Sequence, residues 1–215
     1  MGNIHPIILG LIVANVLFSI VGFKNDSFFN KFKFQVGGIL NGEKHRMFTS
    51  AFLHADQMHL AFNMITLYFL GSSVINSFSN VNFLLLYFTS LLAGGMYSLY
   101  QNKGNYYYSA VGASGAVSGI VFAFVMLHPN QTLYVPFPVP GYIYGIGYLL
   151  YSIYGMKAQL GNIGHSAHLG GAMAGYVITL LFRPDVYGNN KIMVVIMGLI
   201  IGGLLLFGDR LKLNP

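Results

Sequence analysis

The chain has 215 residues, 55% of them apolar and only 7% charged, with a mean hydropathy of +0.62. So few charges over so much apolar content exclude an ordinary soluble domain and indicate a polytopic membrane protein. The absence of cysteine excludes disulfides and thiol chemistry, and the formal charge of +6 comes from Lys and Arg scattered through short connectors, with no basic face for nucleic acid.

Anionic lipid head groups are the simpler partner for that charge. Tryptophan is absent, leaving fifteen tyrosines for the interfacial belts. The first apolar run, about Pro6 to Phe23, lacks a positive leader and a clean small-residue cleavage pattern, so it is expected to be a retained first helix. It is long enough to cross a hydrocarbon core of about 30 Å at about 1.5 Å per residue. Lys24 to His54 then mixes lysines and Arg46 with Phe28, Phe29, Phe32, Phe34 and Phe48, the composition of a loop at the membrane surface.

Run two, about Gln57 to Val74, carries His59 and Asn63 one turn apart on one face. Run three, about Val81 to Tyr100, contains the small-residue patch Ala93-Gly94-Gly95. Run four, Ser114 to Leu127, is ended by His128-Pro129. Its fourteen residues rise about 21 Å, too little for a full span, so Ser114 is expected inside the membrane thickness. Non-helical backbone is tolerated there only against protein or a water-filled cavity, which predicts a cavity at this point. Run five spans about Val139 to Met156 with Pro136, Pro138 and Pro140 as its lead-in, run six about Ile163 to Phe182, and run seven about Ile192 to Phe207. Residues 1–215 are expected to form a single membrane domain.

Two glycine patterns suggest how the runs meet. Gly112, Gly115 and Gly119 flank Ser114 and Ser118, while Gly164, Gly171 and Gly175 lie broadly on the His168 side of run six. Small residues let helix backbones approach closely, so packing of these stripes would bring the His168 ring near the Ser114 hydroxyl. Neutral imidazole can take the proton of an attacking serine and later protonate a departing amine. Asp26, Glu43, Asp56, Asp185 and Asp209 sit in loops or at helix ends, so the expected device is a two-residue one, Ser114 with His168. His59, Asn63 and backbone N–H groups near Ser114 can stabilise the developing oxyanion. Ser118 reads as a packing residue, and His54 and Asp56 as loop and helix-start residues.

The runs Gly42-Glu43-Lys44-His45-Arg46-Met47-Phe48-Thr49, His54-Ala55-Asp56-Gln57-Met58-His59-Leu60-Ala61-Phe62-Asn63, Gly112-Ala113-Ser114-Gly115 and Ala167-His168-Leu169-Gly170-Gly171 together resemble the rhomboid intramembrane serine proteases. The resemblance implies an all-α polytopic membrane protein, with a six-helix core over about 6–182 and one additional C-terminal transmembrane helix over about 192–207. It implies Ser114 as nucleophile, His168 as general base, and His59 and Asn63 as the oxyanion-stabilising pair. It further implies Gly112 beside the oxyanion, Gly115 and Gly171 at the helix contact, and Arg46 with Glu43 as supports of the first loop. The implied activity is cofactor-free and metal-free cleavage of transmembrane segments of other proteins. The site would open to the non-cytoplasmic side of a bacterial cytoplasmic membrane, and helix five with the cap after it would form the substrate gate.

Two positions depart from the family pattern. His45 stands where tryptophan usually precedes the arginine, and Ser118 where many members place Tyr or Phe against the catalytic histidine. Charge also opposes the family orientation. Lys24, Lys31, Lys33, Lys44, Arg46, Lys103, Lys157, Arg210 and Lys212 share the side of the first loop, and the positive-inside rule would make that side cytoplasmic. Three rival functions have less support. A metal site from His54, His59, His165 and His168 lacks acidic help and the His-Glu-x-x-His pattern. A transporter lacks matched broken helices in its halves. A catalytically weak or inactive rhomboid-like protein that binds membrane helices draws support from His45 and Ser118.

Overall fold

Apolar runs punctuated by capping residues become helices whose ends can be read from their caps. In the computed structural model, which describes residues 4–134, 137–158 and 164–207, α1 (Pro6–Lys24) starts with Pro6 in its first turn and His5 accepting from the Ile7 N–H. Asn25 ends α1 and caps α2 (Asp26–Phe32) by accepting from the Phe28 N–H at 2.9 Å. Two short helices, α3 (Val36–Leu40) and α4 (Arg46–Thr49), complete the first loop. Between them and the long helices, β1 (Phe34–Gln35) pairs antiparallel with β2 (Ser109–Ala110), Phe34 opposite Ala110, and so ties the first loop to the segment leading into Ser114.

Asp56 caps α5 (Gln57–Thr66) by accepting from the His59 N–H at 2.8 Å. A π-helical stretch, Leu67–Gly71, carries the helix on into α6 (Ser72–Ile75). Ser79 caps α7 (Asn80–Asn102). The fourth run forms α8 (Ser114–Leu127), which begins and ends where the sequence suggested. A hairpin of β3 (Thr132–Tyr134) and β4 (Pro138–Pro140) follows, and it takes the residues expected to open run five, so that α9 spans Gly141–Ala158. Then come α10 (His165–Phe182), α11 (Asp185–Asn189) and α12 (Lys191–Phe207). Pro136, Ile163, Asp209, Arg210, Lys212 and the expected cap after run five lie outside the described residues, as does the Lys157 side chain.

Among the described residues, three helices are long and apolar enough to cross a membrane, Pro6–Lys24, Gln57–Ile75 and Asn80–Asn102, and α8 and the start of α12 are shorter apolar helices. The chain is therefore a largely helical, polytopic membrane protein. Its centre is α8, buried without interruption from Gly115 to Met126. Against it pack α7 and α10 at a glycine node: a Cβ on Gly94 would stand 3.3 Å from the Gly115 Cα, and one on Gly170 would stand 3.0 Å from the Gly94 Cα. Three backbones converge there because no side chain separates them.

Polar contacts fasten the periphery to this centre. The Arg183 guanidinium grips both carboxylate oxygens of Asp185, at 2.9 and 2.7 Å, and donates to the Ser77 carbonyl at 2.6 Å, joining the end of α10 to the turn before α7. Asn190 donates to the Met126 carbonyl at 2.9 Å, and Tyr176 to the Val194 carbonyl at 3.0 Å, which hold the start of α12 to α8 and α10. Phe48 stacks on Phe88 of α7 with ring centres 5.7 Å apart, so the aromatic first loop lies against the bundle.

Candidate active site

Ser114 opens α8 two residues after a position that suits only glycine. Gly112 has φ +125, a conformation L side chains rarely adopt, and donates its N–H to the Ser50 carbonyl at 3.0 Å. A Cβ there would come within 2.9 Å of His59 Nε2 and 3.7 Å of Ser114 Oγ. The imidazole edge and the hydroxyl thus border one small space that Gly112 keeps open. Ser114 is half-buried, and a cavity whose lining includes Ser50, Ser98, Gly112 and Ser114 alongside Leu91 and Ala167 reaches it. A cavity at this end of α8 is what its short length required.

The His59 side chain is oriented from behind. Its Nδ1 accepts from the Ala55 N–H at 3.5 Å, at the long limit for a hydrogen bond, which leaves the ring proton for Nε2 on the Gly112 side. Asn63 is buried one turn on, and its amide donates to the His59 carbonyl at 2.9 Å. One of its two donor hydrogens is therefore held on its own helix.

His54 has a larger part than a loop residue would. It is fully buried, lies edge-on to His59 with ring centres 5.0 Å apart, and accepts the Ala113 N–H at Nε2, at 3.4 Å. Nδ1 must then carry the proton, donating to Ser19 Oγ at 2.9 Å, whose hydroxyl donates to the Phe52 carbonyl at 3.1 Å. One imidazole so ties α1, the end of the first loop and the residue before Ser114. Burial, reinforced by neighbouring His59, pushes its pKa down to about 3. No periodicity marks a loop residue for such a task.

His168 is buried on α10, and the adjoining backbones touch. A Cβ on Gly171 would overlap the Gly115 carbonyl, one on Gly175 would come within 2.5 Å of the Gly119 Cα, and one on Gly115 would stand 3.5 Å from the Ala167 carbonyl oxygen. Gly164 stands apart from this seam, against Ala110 and Ala167. Among the described residues, neither ring nitrogen of His168 has a hydrogen-bond partner, so the bond to Ser114 is not made in this arrangement. The ring lies instead between Tyr148, stacked at 5.6 Å and 24°, and His165, edge-on at 5.7 Å.

Ser118 does more than pack: its hydroxyl donates to the Ser114 carbonyl at 2.6 Å and bonds the Tyr148 hydroxyl at 2.6 Å. Arg46 and Glu43 lie in the first loop, where the guanidinium meets Glu43 at 2.5 Å and the carbonyls of Asn30 and Lys33 at 2.7 and 3.0 Å. His45, in the tryptophan position, sets its ring edge-on to Phe32 at 6.1 Å. Among the described residues no group of three or more His, Asp or Glu side chains is arranged to hold a metal ion.

Residues 41–185 match the model of the rhomboid domain. The chain is 34% identical over 187 residues to RHOMBOID-like protein 12, mitochondrial, of Arabidopsis thaliana, an alignment covering 78% of this chain and 56% of the plant protein. It is 34% identical over 136 residues to Rhomboid protein 1, mitochondrial, of Saccharomyces cerevisiae, covering 59% of this chain and 38% of the yeast protein. With Rhomboid protease AarA of Providencia stuartii it shares 27% identity over 161 residues, covering 66% and 57%. The aligned stretches thus span about half the length of these relatives, or less.

Proposed function

The chain belongs to the rhomboid family, and from that premise we propose that it is an intramembrane serine endopeptidase hydrolysing peptide bonds in or near the transmembrane segments of other membrane proteins. The observation that carries this reading is the side-chain-free seam between α8 and α10, in which Gly171 meets Gly115, the residue after Ser114, one turn beyond His168. Ser114 Oγ attacks the carbonyl carbon of the scissile bond as His168 takes its proton, and the same proton then goes to the departing amine. Water, activated by His168, releases the acyl group from Ser114. The developing oxyanion is met by the His59 Nε2–H beside Gly112, with the Asn63 amide assisting once its free hydrogen turns inward. Catalytic hydrogen bonds are often open before substrate binds, and here Ser114–His168 is the bond that must close.

The reading includes a six-helix core over about 6–182 with an additional C-terminal helix over about 192–207, in one membrane domain. Arg46 and Glu43 support the first loop, and Gly112, Gly115 and Gly171 support the site. It also includes a bacterial cytoplasmic membrane as location, with the site open to the non-cytoplasmic face, membrane lipids as the surroundings, and no cofactor. Cleavage of a panel of membrane-spanning substrates in proteoliposomes tests it. The parent is expected to cleave, while Ser114→Ala and His168→Ala fall to background; cleavage surviving in Ser114→Ala would end the reading.

The unmade Ser114–His168 bond favours one second reading, a rhomboid-like protein that binds membrane helices without cutting them. Covalent labelling of Ser114 by a serine-reactive phosphonate separates the two: a folded sample that takes no label supports binding alone.

A further inference from the structure

A histidine that must exchange protons needs its ring held in one plane, and a ring without hydrogen bonds can be held only by what it packs against. Among the described residues His168 has no partner at either nitrogen, and Asp56, Glu43 and Asp185 are engaged elsewhere, on the His59 N–H, Arg46 and Arg183 in turn. The ring face is covered by Tyr148, nearly parallel to it at 5.6 Å, in the offset range favoured by aromatic pairs.

Tyr148 is itself fixed. Ser118 Oγ donates to the Ser114 carbonyl at 2.6 Å, so its lone pairs are free to accept from the Tyr148 O–H, also at 2.6 Å. One turn earlier on α9, Gly145 lets the helix sit close on α8, where a Cβ would come within 2.8 Å of Val125. A continuous path therefore runs from the His168 ring through the Tyr148 ring and hydroxyl to Ser118 and the backbone of Ser114. Ser118 stands where the family resemblance expects an aromatic ring on α8. Here the ring comes from α9, and the small hydroxyl residue leaves room for it and anchors it.

We propose that Tyr148 is a positioning residue for His168, with its ring setting the imidazole plane and its bond to Ser118 fixing that ring. The inference rests on the proteolytic reading above. It also makes the base depend on the seating of α9: a displacement of α9 away from α8 would release His168.

The test is cleavage of a transmembrane substrate by the full chain in proteoliposomes, with kcat and KM measured per folded molecule and folding followed by helical circular dichroism. Tyr148→Leu is expected to lower kcat about 100-fold, the cost of misplacing a reacting group by about 1 Å, with KM changed less than about twofold. Tyr148→Phe keeps the stack and is expected to lose only about fivefold, the scale of one hydrogen bond. Ser118→Ala should match it, and Tyr148→Phe/Ser118→Ala should be no worse than either alone. The swap Tyr148→Leu/Ser118→Tyr, which returns the ring to α8, is expected to recover at least about tenfold over Tyr148→Leu. Parental kcat in Tyr148→Leu, or a loss confined to KM or to the folded fraction, overturns the inference. Ser114→Ala in the same assay keeps the two levels apart. If it is inactive while Tyr148→Leu is unaffected, the inference alone fails; if it cleaves, or the parent does not, the proteolytic reading fails with it.

Discussion

Gly112 shows how two separate demands can fall on one residue. Its positive φ and its closeness to His59 exclude a side chain for independent reasons. Gly112→Ala is expected to cost about 1–3 kcal/mol of stability through strain alone, and to abolish phosphonate labelling of the fraction that remains folded; unchanged labelling would separate Gly112 from the site. His54 makes a prediction about pH. Its folded pKa lies far below its unfolded value of about 6.5, so the unfolded chain binds the extra proton first. The stability of the neutral, buried form is complete above about pH 6.5 and declines as pH falls toward 3, by up to about 1.4 kcal/mol per unit. Thermal melts in detergent between pH 7.5 and 4.5 should drop more steeply for the parent than for His54→Gln; equal slopes would remove His54 as the cause. At this scale the sequence singles out His59, Asn63 and His168 because polar groups are expensive in a membrane, and the structure sets His59 beside Gly112 and buries Asn63 and His168. The sequence is silent where the role depends on a distant partner. Tyr148 lies 20 positions before His168 in a run full of tyrosines, and nothing in that run distinguishes it.

At the scale of elements, the seam between α8 and α10 was visible as two glycine stripes, because close backbone approach leaves that trace in any sequence. Gly164 fits the same periodicity and yet lies off the seam, since it precedes the first turn of α10. The two-residue β1–β2 ladder and the short first-loop helices left no trace, as elements of two to seven residues carry too little periodicity. The hairpin before α9 was hidden by Pro138 and Pro140, which read as a helix lead-in but supply β4. Gly171→Val would drive a branched side chain into the Gly115 carbonyl. It is expected to destabilise the fold by about 3 kcal/mol or more and to abolish cleavage, whereas Gly147→Ala, facing open space on α9, should change the melting temperature little. Similar melting temperatures for the two variants would show that the seam carries no special stability.

At the scale of the whole molecule, composition disclosed a polytopic membrane protein at once, while orientation pitted two rules against each other. The positive-inside rule counts charges in flexible connectors, but Arg46 is tied to Glu43 and two carbonyls, and the first loop carries helices of its own. Charges locked into a folded element are a poor guide to the direction of insertion. The lack of native cysteine makes the question directly measurable. In intact cells Lys44→Cys is expected to react with a membrane-impermeant maleimide, and Asn189→Cys only after permeabilisation; the reverse pattern would mean that the charge rule sets the orientation.

The meeting of α8 and α10 through bare backbone has a consequence for how the protein tolerates different lipids. Side-chain interfaces can slide by exchanging rotamers when a thicker or thinner bilayer tilts the outer spans, but peptide groups in direct contact have no such slack. Thickness mismatch is then expected to fall on outer spans such as α1, leaving the contact of Gly171 with Gly115 unchanged.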